Sequence, residues 1–83
     1  RIEERIGERD LVEYIAKSLV DDPSSVSVTA VEGDKSVMLE LRVAEGDVGK
    51  VIGKHGRIAK ALRTILSASA SHSPKRAVLE ILD

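Results

Sequence analysis

Two glycines at positions 53 and 56 bracket Lys54 and His55, and Arg57 follows at once. Glycine adopts positive φ without steric cost, which suits ending one helix and turning sharply into the next. Without Cβ atoms the loop backbone can also approach another chain closely. A helix that starts at this loop points its free N–H groups and its dipole there, which favours an anion, most simply a phosphate. Lys54, His55 and Arg57 put donors and charge at the same spot, and Lys50 and Lys60 lie one turn away on either side. A bare G-x-x-G is also what a helix C-cap at Gly53 and a turn residue at Gly56 look like. Apolar Val51-Ile52 before the loop, Ile58 after it and the local excess of cations favour a binding loop.

Other chemistries fit poorly. Gly49 to Lys54 superficially resembles a P-loop, but three residues separate Gly49 from Gly53 and Lys54 is followed by His instead of Ser or Thr. His55 has no carboxylate placed to orient it as a general base. His72, beside Pro74, reads as a partner for a helix C-terminal dipole. The two histidines are 17 residues apart and Cys is absent, so no metal site is expected. The serines between 67 and 73 have no base-and-acid partners. The expectation is a binding protein, not an enzyme, with no cofactor and no metal.

The 83 residues make one small domain. With one Tyr and no Phe, Trp or Cys, its core must be aliphatic and disulfide scaffolds are excluded. No apolar run approaches the ~18 residues of a membrane helix and no signal-peptide pattern is visible, so the expectation is a cytoplasmic protein with no membrane partner. The net charge of −1 hides an asymmetry. Residues 1–34 hold four Lys/Arg and nine Asp/Glu, while residues 46–63 hold five Lys/Arg against Asp47 alone. A positive cluster on an acidic body says more about partners than the total does, although a solvated helix face would look the same.

Positioning that cluster falls to six elements. Residues 1–9 read as an N-terminal arm or as non-native residues ahead of a domain at 10–83. Asp10 and Glu13 form a capping-box-like pair for a helix over about 10–20, with Leu11, Val12, Ile15, Ala16 and Leu19 at helical spacing. Asp21-Asp22-Pro23 ends it. Residues 25–32 alternate and are β-branched, Gly33-Asp34-Lys35 is turn chemistry, and residues 36–43 alternate again, which predicts an antiparallel hairpin. Val37, Leu39, Leu41 and Val43 take its buried face, opposite Met38, Glu40 and Arg42. A short helix capped by Asp47 runs to Ile52. A longer one spans about 57–71 with Ile58, Ala61, Leu62, Ile65 and Ala68 as its apolar face, until His72-Ser73-Pro74 stops it. Residues 75–82 form the last strand. A two-helix crossover between the last two strands makes them parallel. The fold class is α+β: order α-β-β-α-α-β, a three-stranded mixed sheet, and three helices on one face. The other sheet face, with Met38, Val78 and Leu82, stays partly open.

The stretch Val51-Ile52-Gly53-Lys54-His55-Gly56-Arg57-Ile58 resembles the V-I-G-x-x-G-x-x-I signature of KH domains, and the element order resembles the type II KH fold. From Asp47 to Thr64, and in the opening Leu11–Asp21 and ending Val78–Asp83, the chain is similar to the KhpA family of bacterial single-KH-domain proteins. The resemblance covers residues 10–83. It implies a single-stranded RNA binder whose loop clamps about four nucleotides. On that resemblance Gly53, Lys54, His55 and Gly56 form the clamp, Arg57 and Lys60 hold phosphates together with Lys50, and Ile52, Ile58 and a sheet edge floor an apolar groove. It also implies homodimers or a heterodimer with a KhpB-like KH protein, RNA chaperoning or post-transcriptional regulation, and a link to cell shape and cell-wall organisation. A different class also fits: a KH-fold protein–protein interaction module that acts through dimerisation with little RNA binding, using Met38 and Val78.

Overall fold

A computed structural model of the chain describes residues 7–69 and 75–82. Helix α1 (Glu8–Leu19) leads into strands β1 (Ser27–Glu32) and β2 (Ser36–Arg42). Helices α2 (Val48–Ile52) and α3 (Arg57–Ser69) follow, and strand β3 (Arg76–Leu82) is last. Single 3₁₀ turns sit at Pro23–Ser25, Glu45–Asp47 and Lys54–Gly56. This is the α-β-β-α-α-β order of a KH domain.

The sheet order is β1-β2-β3. β1 and β2 are antiparallel, with Val28 opposite Leu41 and Val31 opposite Met38. β2 and β3 are parallel, with Leu39 beside Leu79 and Met38 beside Val78. The parallel pairing follows from the crossover through α2 and α3. Side-chain alternation puts Val28, Leu39, Leu41 and Leu79 on the helix-covered face. They join Val12 and Ala16 of α1, Val51 of α2, and Leu62 and Leu66 of α3 in one aliphatic core. On the open face Val31, Met38 and Val78 form an apolar row across all three strands, exposed to solvent.

Three local expectations need correction. Helix α1 starts at Glu8, with Gly7 as its N-cap and no side-chain cap. Asp10 and Glu13 do not form a capping box. Both accept from Arg9, whose Nη1 lies 2.8 Å from Asp10 and 2.9 Å from Glu13 while its Nε donates to the Val28 carbonyl at 2.9 Å. The guanidinium ties the helix start to β1, and the carboxylates hold it in place. Asp47 occupies the N-cap position of α2 but its side chain makes no cap bond.

The face of α3 is also rotated from expectation. Ala59, Leu62 and Leu66 are buried, Ile58 is partly buried, and Ala61, Ile65 and Ala68 are exposed, Ile65 by 41%. Leu62 is inward as expected; Ile58, Leu62 and Leu66 stand in one i,i+4 row and turn inward together, which leaves Ile65 outside. The expected ends of α3 at 70–71 and the His72-Ser73-Pro74 stop lie outside the described residues, as do residues 1–6 of the arm.

Candidate nucleic-acid interface

Helix α2 has only five residues before the chain reverses. The Gly53 N–H closes it by donating to the Gly49 carbonyl at 2.8 Å, and Gly53 itself takes φ 82°, ψ 166°. That region belongs essentially to glycine. The site is also crowded: a Cβ on Gly53 would lie 2.6 Å from Ile58 Cγ1 and 2.9 Å from the Ile58 backbone nitrogen. The start of α3 is packed directly on this glycine. Gly56 differs. Its φ is 72°, its N–H donates to the Gly53 carbonyl at 3.0 Å, and a Cβ there would meet nothing within 4 Å. Between them His55 sits at φ 59°. Histidine is among the few side chains enriched in that left-handed region.

Lys54, His55, Arg57 and Lys60 are all exposed. None of the ion pairs among the described residues involves them. Arg57, Lys60 and Arg63 recur every three residues, so they form one ridge that winds along α3 from the loop. At its far end Arg63 Nη2 donates to the Leu79 carbonyl of β3 at 3.4 Å. In the sequence Arg63 shows only as charge, because its reach to β3 depends on how α3 packs. Ile52 is exposed beside the loop, whereas Ile58 is half-buried beneath Gly53.

Lys50 is placed differently. Its Nζ lies 3.2 Å from Asp21 and 3.3 Å from Asp47. These contacts hold its ammonium pKa above the ordinary lysine value, Asp21 contributing most. Asp47 is only 4% exposed, and its second oxygen accepts the Asp22 N–H at 3.0 Å. Burial alone pushes the Asp47 carboxyl up. The Asp21 and Asp22 backbone N–H groups and Lys50 outweigh it and hold the pKa below the usual carboxylate range. Asp22 is lowered too, by the hydroxyls of Ser24 and Ser25. Lys50 and Asp47 thus fasten α2, and the loop behind it, to the turn after α1.

That node has a pH signature. A carboxylate with a depressed folded pKa stabilises fully above its unfolded value and loses the effect as pH falls through the folded one. Thermal stability should therefore hold from neutral pH down to about pH 4 and fall below it. Asp47→Asn should melt lower than the parent at pH 6 and show a shallower acid limb. Equal acid limbs in melts from pH 6 to 2.5 would remove Asp47 from this role.

Among the described residues no group of His, Cys, Asp or Glu is arranged to hold a metal, and no helix is long and apolar enough to cross a membrane. Tyr14 is 72% exposed on α1.

The sequence model of the family described as KhpA/KhpB, KH domain, matches residues 9–81. The chain is similar to the RNA-binding protein KhpA of Treponema pallidum, 60% identical over 76 residues that cover 92% of this chain and 95% of that protein. It is 53% identical over 77 residues to the RNA-binding protein KhpA of Borreliella burgdorferi, covering 93% and 94% of the two chains. For the RNA-binding protein KhpA of Chlamydia trachomatis the identity is 44% over 75 residues, 90% of this chain and 96% of that one. No solved structure matches.

Proposed function

The chain belongs to the KhpA/KhpB KH-domain family, and on that premise we propose that it binds single-stranded RNA by clamping the backbone on the Gly53–Gly56 loop. One observation carries the reading. An exposed left-handed loop presents Lys54 and His55 at the start of α3, with Arg57 and Lys60 beyond it and none of these side chains spent on a described ion pair. Phosphate is the anion such a site suits. Ile52 offers apolar surface next to the loop, and Ile58 supports the loop from below. Lys50 contributes by holding α2 in place, since Asp21 and Asp47 share its charge.

No aromatic ring accompanies the loop in sequence; the one Tyr is on α1. Stacking therefore adds little, and most of the affinity comes from phosphates. A cytoplasmic RNA chaperone or post-transcriptional regulator needs this tolerance of sequence. Pairing with a second copy or a KhpB-like chain would raise a modest affinity through avidity.

The test is a titration of the parent chain with single- and double-stranded RNA at several salt concentrations. Three phosphates neutralised by Lys54, Arg57 and Lys60 give a log–log slope of about −2 for single strands. The single strand should bind more tightly than the duplex at every salt. A slope near zero, or a preference for the duplex, rejects the clamp.

A second reading is favoured by the open sheet face, where Val31, Met38 and Val78 form an exposed apolar row. That reading is an interaction module whose partner is another KH-domain chain. The same titration separates the two, because such a module binds single strands weakly or not at all and shows no preference for them over the duplex.

A further inference from the structure

Among the described residues strand β3 is an edge of the sheet, paired with β2 alone. The Arg76 N–H donates to the Lys35 carbonyl at 3.1 Å. Alternation along the strand then turns the backbone groups of Arg76, Val78, Glu80 and Leu82 toward β2. Those of Ala77, Leu79 and Ile81 face the free edge. A row of open N–H and C=O groups is a template for a hydrogen-bonding partner.

One of these outward carbonyls, that of Leu79, is taken by Arg63. The bond is long at 3.4 Å, against the usual ~2.9–3.0 Å, so it is easily exchanged. It uses one of the five N–H donors of the guanidinium. No carboxylate among the described residues pairs with Arg63. The side chain is also the last member of the ridge that starts beside the clamp loop and passes Lys60. A strand whose backbone follows that ridge brings a base to the gap between α3 and the β3 edge.

We propose that Arg63 is a specificity-determining residue that reads guanine at this position; the proposal rests on the single-stranded RNA reading above. Arg63 leaves the Leu79 carbonyl to water and donates two parallel N–H bonds to the base. Guanine presents two adjacent acceptors, N7 and O6, that match the guanidinium fork. Adenine places an amino donor where guanine has O6, and it repels the same fork. The site is tolerant of sequence elsewhere and selective at this one nucleotide.

The experiment uses three short single-stranded RNAs, uridine tracts with one central nucleotide: guanine, 7-deazaguanine or adenine. The parent should bind the guanine strand about tenfold or more tightly than the adenine strand. The 7-deazaguanine strand, which lacks only the N7 acceptor, should lose most of that advantage. Arg63→Met keeps an unbranched stem but has no N–H donor. It should bind all three strands alike, at the affinity of the parent for the adenine strand, with an unchanged salt slope.

Equal binding of the three strands by the parent overturns the assignment while the clamp stands, and this comparison needs no variant. Retention of the guanine preference by a folded Arg63→Met variant overturns it as well. If the parent binds none of the strands, the clamp fails and the assignment fails with it. Self-association through β3 that strengthens in Arg63→Met, without any guanine preference in the parent, would show that the residue guards a strand edge instead.

Discussion

Lys54→Asp combined with His55→Asp should weaken single-stranded RNA binding about a hundredfold and leave the fold intact. Both side chains are exposed, and neither joins any of the ion pairs among the described residues. Removing them therefore costs the folded chain little, within about 0.5 kcal/mol for surface substitutions of this kind. Backbone strain does not rise either. Position 55 sits at φ 59°, and Asp tolerates the left-handed region as His does. The effect on a bound polyanion is large by comparison. One attraction is lost and two repulsions are added, each about 1 kcal/mol for charges ~4 Å apart in water. Together that is about 3 kcal/mol, or roughly two decades in affinity. Melting temperature and titration should thus separate cleanly. A double variant that binds within threefold of the parent would mean that phosphates do not sit on this loop.

How much of this was visible in the sequence depends on how local each cause is. The strands were legible because alternation fixes a face: Val37, Leu39 and Leu41 turn inward and Met38 outward, as expected. The Gly53–Gly56 break was legible because two glycines so close together interrupt any helix. The sequence pattern starts helix α1 two residues late because Asp10 and Glu13 imitate a capping box, while Arg9 engages both and reaches β1. The inward face of α3 was legible at Leu62 and partly at Ile58 but not beyond, because Ile65 and Leu66 stand three and four residues after Leu62 and both have helical spacing. Only packing decided between them. The role of Lys50 was hidden for another reason. Its charge reads as part of the basic cluster, but Asp47 bonds a backbone amide 25 residues earlier, and this brings Asp21 to the same ammonium. No spacing rule contains that meeting. Arg63 and the β3 edge belong to the same class of long-range fact.

The two loop glycines share a motif but not a cause, and Ala substitutions should separate them. At Gly53 the backbone lies at φ 82°, ψ 166°, where a side chain costs about 1–3 kcal/mol in strain. The new Cβ would also press into Ile58 at 2.6 Å from Cγ1, and into its backbone nitrogen, which cannot swing aside. Overpacking of this kind adds ~1–3 kcal/mol. Gly53→Ala should therefore cost about 3–4 kcal/mol, a large share of the ~4–12 kcal/mol expected for a domain of this length. At ~4–8 °C per kcal/mol, its melting point should drop by 12 °C or more. Gly56→Ala carries only the left-handed penalty of ~1–2 kcal/mol, since its Cβ would point into open space. That same open space is where an RNA backbone would have to come close, so a methyl group there obstructs the ligand more than the fold. The order should accordingly invert between assays. Gly53→Ala is the worse variant in a thermal melt, and Gly56→Ala is the worse in RNA affinity at a temperature where both are folded. Equal melting points for the two would show that α3 does not rest on Gly53 as described. An unimpaired affinity in Gly56→Ala would place the phosphate on the other side of the loop.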